Sequence, residues 1–121
     1  METKDFLKQY LCAKREVDAL QATIQHAERI GKQIPQSIQE KYSTAVQAQE
    51  KAHDTVFWTI QCVPDLFNRQ LLEYRFLSGM KFREIIRCMQ YSKTQIFRRY
   101  RAALTQVAQA LEGAEHDEYD E

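Results

Sequence analysis

The stretch MQYSKTQIFRRYRAAL, from Met89 to Leu104, contains side chains that are well suited to hydrogen-bonding a nucleic acid. Arginine can donate two hydrogen bonds to guanine, glutamine can pair with adenine, and threonine or an aromatic ring can contact a thymine methyl group. The residues predicted to read base edges are Lys93, Thr94, Gln95, Phe97 and Arg98.

Positive charge is concentrated around this stretch, although the whole chain has 17 Lys+Arg and 17 Asp+Glu. Residues 69–101 contain nine basic and two acidic residues, whereas residues 102–121 contain six acidic residues and no Lys or Arg. Basic side chains that contact phosphates give affinity and salt dependence rather than sequence choice. The residues predicted to contact phosphates are Lys81, Arg83, Arg87, Arg99 and Arg101. A purely solvated basic face is the alternative interpretation.

A helix must present these side chains while also packing into the domain. Ser92 followed three residues later by Gln95 is a capping-box signature, so we expect a helix at about 93–112. Its predicted inward face repeats at intervals of three or four residues and consists of Ile96, Tyr100, Ala103, Val107 and Leu111. A short helix at about 81–89 and a turn at Gln90–Tyr91 precede it. This order predicts a helix-turn-helix whose second helix enters the major groove.

The preceding segments predict the scaffold. Apolar residues recur with a seven-residue rhythm from Phe6 to Ala27, which is typical of a coiled-coil seam. Gly31 and Pro35 then end the helix, and a second long helix is expected at about 36–62. We therefore expect an all-α chain with an antiparallel helical hairpin at 1–63, available for homodimerisation.

A helix-turn-helix unit is predicted at 64–112, and its first helix should span about 65–77. An acidic, disordered tail is predicted at 113–121. This tail is either inert or attracted to the basic helix.

Several functional classes are disfavoured. No glycine-rich phosphate loop or nucleophile elbow occurs, so we expect neither an enzyme nor a bound cofactor. Cys12, Cys62 and Cys88 are scattered and are expected to be buried, reduced thiols, and the histidine and cysteine spacing predicts no metal site. No apolar run is long enough to cross a membrane and no signal peptide is evident, so a cytoplasmic protein is expected.

Residues 71–111 contain a spaced set of apolar, aromatic, small and charged residues. The set consists of Leu72, Arg75, Phe76, Leu77, Gly79, Phe82, Glu84, Ile85, Tyr91, Ser92, Ile96, Phe97, Arg98, Ala103 and Leu104. In this set the segment resembles region 4 of bacterial sigma factors and their phage relatives. Together with the hairpin, it resembles the ArpU-like phage transcriptional regulators.

The resemblance implies a three-helix unit that binds double-stranded DNA and regulates phage or prophage genes in a bacterial host cell, with RNA polymerase as a further partner. It places the base-reading positions of the family on Lys93, Thr94 and Phe97, with Arg98 beside them. The chain departs from the usual helix-turn-helix pattern at three positions. Ile86 replaces an alanine where the helices cross, Gln90 replaces the turn glycine, and Arg99 replaces an apolar residue.

Two other functions remain open at this stage. In the first, the sigma-like unit is a protein-interaction module that binds RNA polymerase or another host factor without reading DNA, for example as a phage-encoded inhibitor. In the second, the hairpin alone serves as a structural assembly factor of a phage particle.

Overall fold

A computed structural model of the chain describes the backbone of residues 2–119 and the side chains of residues 2–113. Every regular element in these residues is an α-helix, which confirms the predicted all-α class. The helices are α1 (Thr3–Leu7), α2 (Gln9–Arg29), α3 (Gln36–Gln61), α4 (Leu66–Phe76), α5 (Phe82–Met89) and α6 (Lys93–Tyr119).

Helices α2 and α3 form a hairpin. Tyr10 lies beside residues 49–54 of α3, whereas Glu16 and Leu20 lie beside residues 37–48, so the two helices run antiparallel. The heptad positions of α2 from Tyr10 to Ala27 are all buried or partly buried, as expected for the face towards α3. The turn between the helices contains Gly31 with φ 70°, a left-handed conformation that suits glycine.

The predicted first arm is not one continuous helix, because a turn at Lys8 separates α1 from α2. Next to this turn, Leu7 is fully buried, although it lies outside the heptad pattern. Helix α1 packs against α6, far along the chain. The N-terminal residues therefore contribute to the C-terminal unit.

One hydrophobic core crosses the predicted boundary at residue 63. It joins Leu7 and residues near the end of α3 to the inward faces of α4, α5 and α6. The core is centred on Leu7, Val56, Ile60, Val63, Leu71, Leu72, Phe76, Ile85, Ile96, Tyr100, Ala103 and Val107. The segments 1–63 and 64–112 are thus not two separately packed units, because a two-helix hairpin leaves apolar surface that α4 and α6 cover.

Two further expectations need correction. Helix α6 continues to Tyr119, so the predicted disordered tail at 113–121 is helical as far as the described backbone extends. Ala114 and the glutamates of this segment favour helix, and no proline interrupts it. The predicted buried thiols are all exposed, because Cys12, Cys62 and Cys88 lie on the solvent sides of their helices.

Helix α5 ends at a left-handed residue. Gln90 has φ 59° and ψ 38°, and its amide N–H donates to the carbonyl of Ile86 at 3.0 Å. Non-glycine residues adopt this conformation at a cost of about 1–2 kcal/mol. Ile86, which stands where helix-turn-helix units usually have alanine, is partly buried against the core. The connection to α6 consists of Gln90, Tyr91 and Ser92.

Candidate nucleic-acid interface

The first turn of α6 is held by the predicted capping box. The Ser92 hydroxyl accepts a hydrogen bond from the backbone N–H of Gln95 at 3.2 Å. In return, Oε1 of Gln95 accepts from the backbone N–H and the hydroxyl of Ser92, each at 3.0 Å. Bidentate recognition of adenine needs both the oxygen and the nitrogen of the glutamine side chain. Gln95 can therefore read adenine in that way only by giving up its contacts in the cap.

Three predicted contact residues share the solvent face of α6. Thr94, Arg98 and Arg101 are all exposed, and they lie within about 60° of one another around the helix axis because each residue advances the helix by about 100°. The opposite side carries Ile96 and Ala103, both 0% exposed. Lys93 is also exposed and lies in the first turn of α6, about 100° around the helix axis from Thr94. The helix thus separates a packed side from a cationic side.

Phe97 does not project freely from α6, in contrast to the sequence-based expectation. Its ring lies 4.6 Å from that of Phe82 at the start of α5, and its side chain is partly buried. Phe82 in turn contacts Tyr100, with ring centroids 4.9 Å apart. Burial of aromatic surface favours this cluster. Contact with a thymine methyl would require a base to approach the partly covered ring.

Arg99 is directed towards α4 on the other flank of α6. Its guanidinium lies 3.4 Å from Asp65 and 5.2 Å from the centre of the Phe67 ring. Asp65 also caps α4, because its carboxylate accepts a hydrogen bond from the backbone N–H of Asn68 at 3.1 Å. Contacts to two groups of the fold restrict the orientations in which Arg99 can meet a phosphate.

The predicted phosphate-contacting residues before the turn are accessible. Lys81, Arg83 and Arg87 are exposed, and Arg83 and Arg87 are four residues apart on one side of α5. With Lys93 and Arg98, they place cations on both sides of the α5–α6 connection. Such a concentration of one sign of charge attracts polyanions.

Arg75 is a cationic centre that is not among the predicted base-reading or phosphate-contacting residues. It donates to the Met80 carbonyl at 3.0 Å and lies 4.5 Å from the centre of the Phe82 ring. Burial raises the pKa of the neighbouring Tyr100 hydroxyl, while the Arg75 charge and a hydrogen bond from Arg75 partly oppose that rise. Arg75 therefore fixes a positive charge beside α6.

Lys4 and Lys8 are functional candidates that the sequence analysis missed. Both are exposed residues of the α1 region, and they line a cavity together with Phe97 and Arg101 of α6. Nothing in the local sequence indicates this proximity, because it depends on the packing of α1 against α6.

Within the described residues, no group of three or more histidine, cysteine or acidic side chains is positioned to hold a metal ion. None of the described helices is both long and apolar enough to cross a membrane. Comparisons of the chain with protein-family models, curated proteins and solved structures find no match.

Proposed function

We propose that the chain is a sequence-specific DNA-binding transcriptional regulator of phage or prophage genes, with α6 in the major groove. The observation that carries the proposal is the two-sided construction of α6. One side is sealed into the core, while Thr94, Arg98 and Arg101 occupy the side open to a partner. Recognition helices of helix-turn-helix proteins expose their N-terminal residues to base edges in this way.

The cations around the α5–α6 connection support a role in phosphate contact. Lys81, Arg83 and Arg87 lie on or beside the helix that would cross the DNA backbone, and Lys93 lies at the start of α6. Of the base-reading candidates, Arg98 is the strongest, because it is exposed and can donate two hydrogen bonds to guanine. The resemblance of residues 71–111 to region 4 of sigma factors supports the assignment to phage or prophage genes.

A homodimer formed through the hairpin is part of the proposal. Trp58 of α3 is 66% exposed and contacts the partly buried Phe57, with ring centroids 5.1 Å apart, so the hairpin offers aromatic surface to a second copy. A dimer would present two copies of α6 to half-sites separated by one or more helical turns of DNA. Light scattering on the protein, alone and with DNA, measures the mass.

The test begins with selection of bound sites from a random DNA pool, followed by titration of a selected duplex. Arg98→Ala should weaken specific binding by about 1–3 kcal/mol if the arginine reads a guanine. Arg29→Ala is the matched control, because Arg29 is an exposed arginine at the end of α2. Equal affinity of wild type and Arg98→Ala for every selected duplex would remove Arg98 from the reading surface. Failure of the wild type to enrich any site would remove the proposed function.

A second candidate function is a module that binds RNA polymerase or another host protein without reading DNA. It is favoured by the internal contacts of Gln95, Phe97 and Arg99, which occupy three side chains expected to face DNA. Titration against purified RNA polymerase in the presence of nuclease separates the two functions. Nuclease-resistant binding that tolerates Arg98→Ala supports the second function, whereas binding that disappears with nuclease supports the first.

A further inference from the structure

Two neighbouring cavities lie on the side of the molecule where the N-terminal helices meet the C-terminal unit. The first has a volume of about 330 Å³ and is lined by residues of the α1 region, α4, α5 and α6. The second has a volume of about 260 Å³ and lies between the start of α2 and the end of α4. Lys8 and Arg75 line both cavities, so the two cavities adjoin at these side chains, and we name the pair the depression.

The charges in this depression all have one sign. Lys4, Lys8, Arg75 and Arg101 line the first cavity, and Arg15 joins Lys8 and Arg75 in the second. No aspartate or glutamate is among the lining residues of either cavity, and none of these five cations belongs to an ion pair within the described residues. Neighbouring unpaired cations repel one another, so an anion bound among them would be stabilised.

The cations differ in how firmly the fold holds them. Arg75 is fixed by its hydrogen bond to Met80 and by the Phe82 ring. Lys4, Lys8 and Arg101 are exposed, and long side chains of this kind can follow an irregular polyanion. The depression thus combines one immobile positive charge with adjustable ones at its rim.

The depression adjoins the face of α6 that we propose for DNA. Arg101 belongs to both surfaces, because it lines the first cavity and shares the exposed face with Thr94 and Arg98. Phe97, four residues before Arg101, is also in the cavity lining. A duplex on the exposed face would bring its sugar-phosphate backbone towards the α1 side of the molecule.

We propose that Lys4 and Lys8 contact the phosphates of the DNA that α6 reads, so that the DNA interface extends from the helix-turn-helix onto the N-terminal helices. This inference rests on the proposed function and adds a partner surface that lies about 90 residues away in the sequence. It assigns α1 a role in binding in addition to its packing through Leu7.

The test measures binding of a fluorescently labelled duplex of arbitrary sequence as a function of salt, because phosphate contacts do not depend on sequence. The double variant Lys4→Gln/Lys8→Gln removes two exposed charges without removing a core group. The control is Lys32→Gln/Lys41→Gln, which makes the same change in charge in the turn between α2 and α3 and on α3. Circular dichroism confirms that each variant is folded.

Loss of two phosphate contacts should make the fall of log affinity with log salt less steep by about 1.8, and on that slope the affinity at about 50 mM salt should fall by roughly two orders of magnitude. The control should keep the wild-type slope. An unchanged slope in Lys4→Gln/Lys8→Gln, while Arg98→Ala still weakens a selected duplex, would overturn this inference and leave the proposed function standing. Equal losses in the double variant and its control would also overturn it, because only net charge would then matter. A wild type that binds no duplex would refute both proposals.

Discussion

The hairpin and the C-terminal unit of α4–α6 are stabilised in different ways. Along α2 the contact with α3 is a repeated seam to which α2 contributes one buried residue, Val17. The described side-chain hydrogen bonds of α2 residues reach partners only three or four positions away, as between Lys14 and Asp18. In the C-terminal unit, hydrogen bonds link residues far apart in the sequence. Asn68 donates to Gln106, 38 residues away, and Arg99 donates to Asp65, 34 residues away.

The difference matters for function because the candidate interface lies in the C-terminal unit, where individual long-range contacts hold the helices together. A seam built from a repeat tolerates the loss of one member, since neighbouring repeats keep the helices together. In the C-terminal unit, individual contacts decide whether an exposed side chain is tied to another element of the fold. Arg98 and Arg99 are adjacent in sequence and chemically identical, yet only Arg99 is paired with a carboxylate among the described residues.

The largest expected effect separates the common core from the seam. Phe76 is 1% exposed and stacks on Tyr100, with ring centroids 6.3 Å apart, so Phe76→Ala should lower the free energy of unfolding by about 3–5 kcal/mol. Leu20 is only partly buried in the seam. Leu20→Ala should therefore cost less than about 2 kcal/mol, below the usual range for a fully buried leucine. Urea unfolding measures both values.

The same experiment tests whether the core is continuous. Trp58, the one tryptophan of the chain, reports on the hairpin by fluorescence, while circular dichroism reports on all helices. Because α3 and α4–α6 share a core, both signals should shift together in Phe76→Ala. A fluorescence transition that stays at its wild-type position while the dichroism transition moves would show two independently folding units.

The sequence predicts the regular parts of this molecule well. The seven-residue rhythm locates the contact face of α2, and Ser92 with Gln95 locates the start of α6, because each signal depends on residues a few positions apart. The end of α6 was harder to predict, because Glu112 and the residues after it lack apolar periodicity and mix helix-favouring alanine and glutamate with glycine and aspartate, which do not favour helix. The buried position of Leu7 was not predictable from its local spacing, because it depends on a turn at Lys8 and on contact with a distant helix.

The candidate site could be predicted only in part. Exposure of Lys93, Thr94, Arg98 and Arg101 follows from their positions relative to the inward face of α6. The packing of Phe97 on Phe82 does not follow from helix periodicity alone, because it requires the first residue of α5 to reach α6. In the same way, the carboxylate partner of Arg99 comes from the cap of α4. Contacts between elements thus decide which members of a periodic face remain available.

A smaller loss of stability is expected when Asp65, which links α4 to α6, is replaced. Asp65 caps α4 and pairs with Arg99, so Asp65→Ala should destabilise the protein by about 1–2 kcal/mol, mainly through the lost cap. Asp18→Ala is the matched control in the hairpin, where the exposed pair with Lys14 contributes less than about 0.5 kcal/mol. Thermal unfolding of both variants compares them. Similar losses would mean that the hairpin depends on individual contacts as much as the C-terminal unit does.

The smallest effect compares the two turns through their left-handed residues. Gln90 has φ 59° after α5, and Gly31 has φ 70° after α2. Gln90→Gly should stabilise the protein by up to about 1 kcal/mol, because glycine adopts this conformation without a steric penalty, although it also has more freedom in the unfolded chain. Gly31→Gln should destabilise it by a similar amount. A Cβ at Gly31 would meet no atom within 4 Å, so the backbone conformation alone sets that cost.

Urea unfolding of the two variants and of the double exchange measures this comparison. If only backbone conformation matters, the two changes should be opposite in sign and additive, because the turns lie in different parts of the fold. If Gln90→Gly instead destabilises the protein, the glutamine side chain must stabilise the α5–α6 connection despite its solvent exposure. That result would make the departure from glycine a stabilising feature of the turn that orients α6, and would extend the dependence on individual contacts to the connection itself.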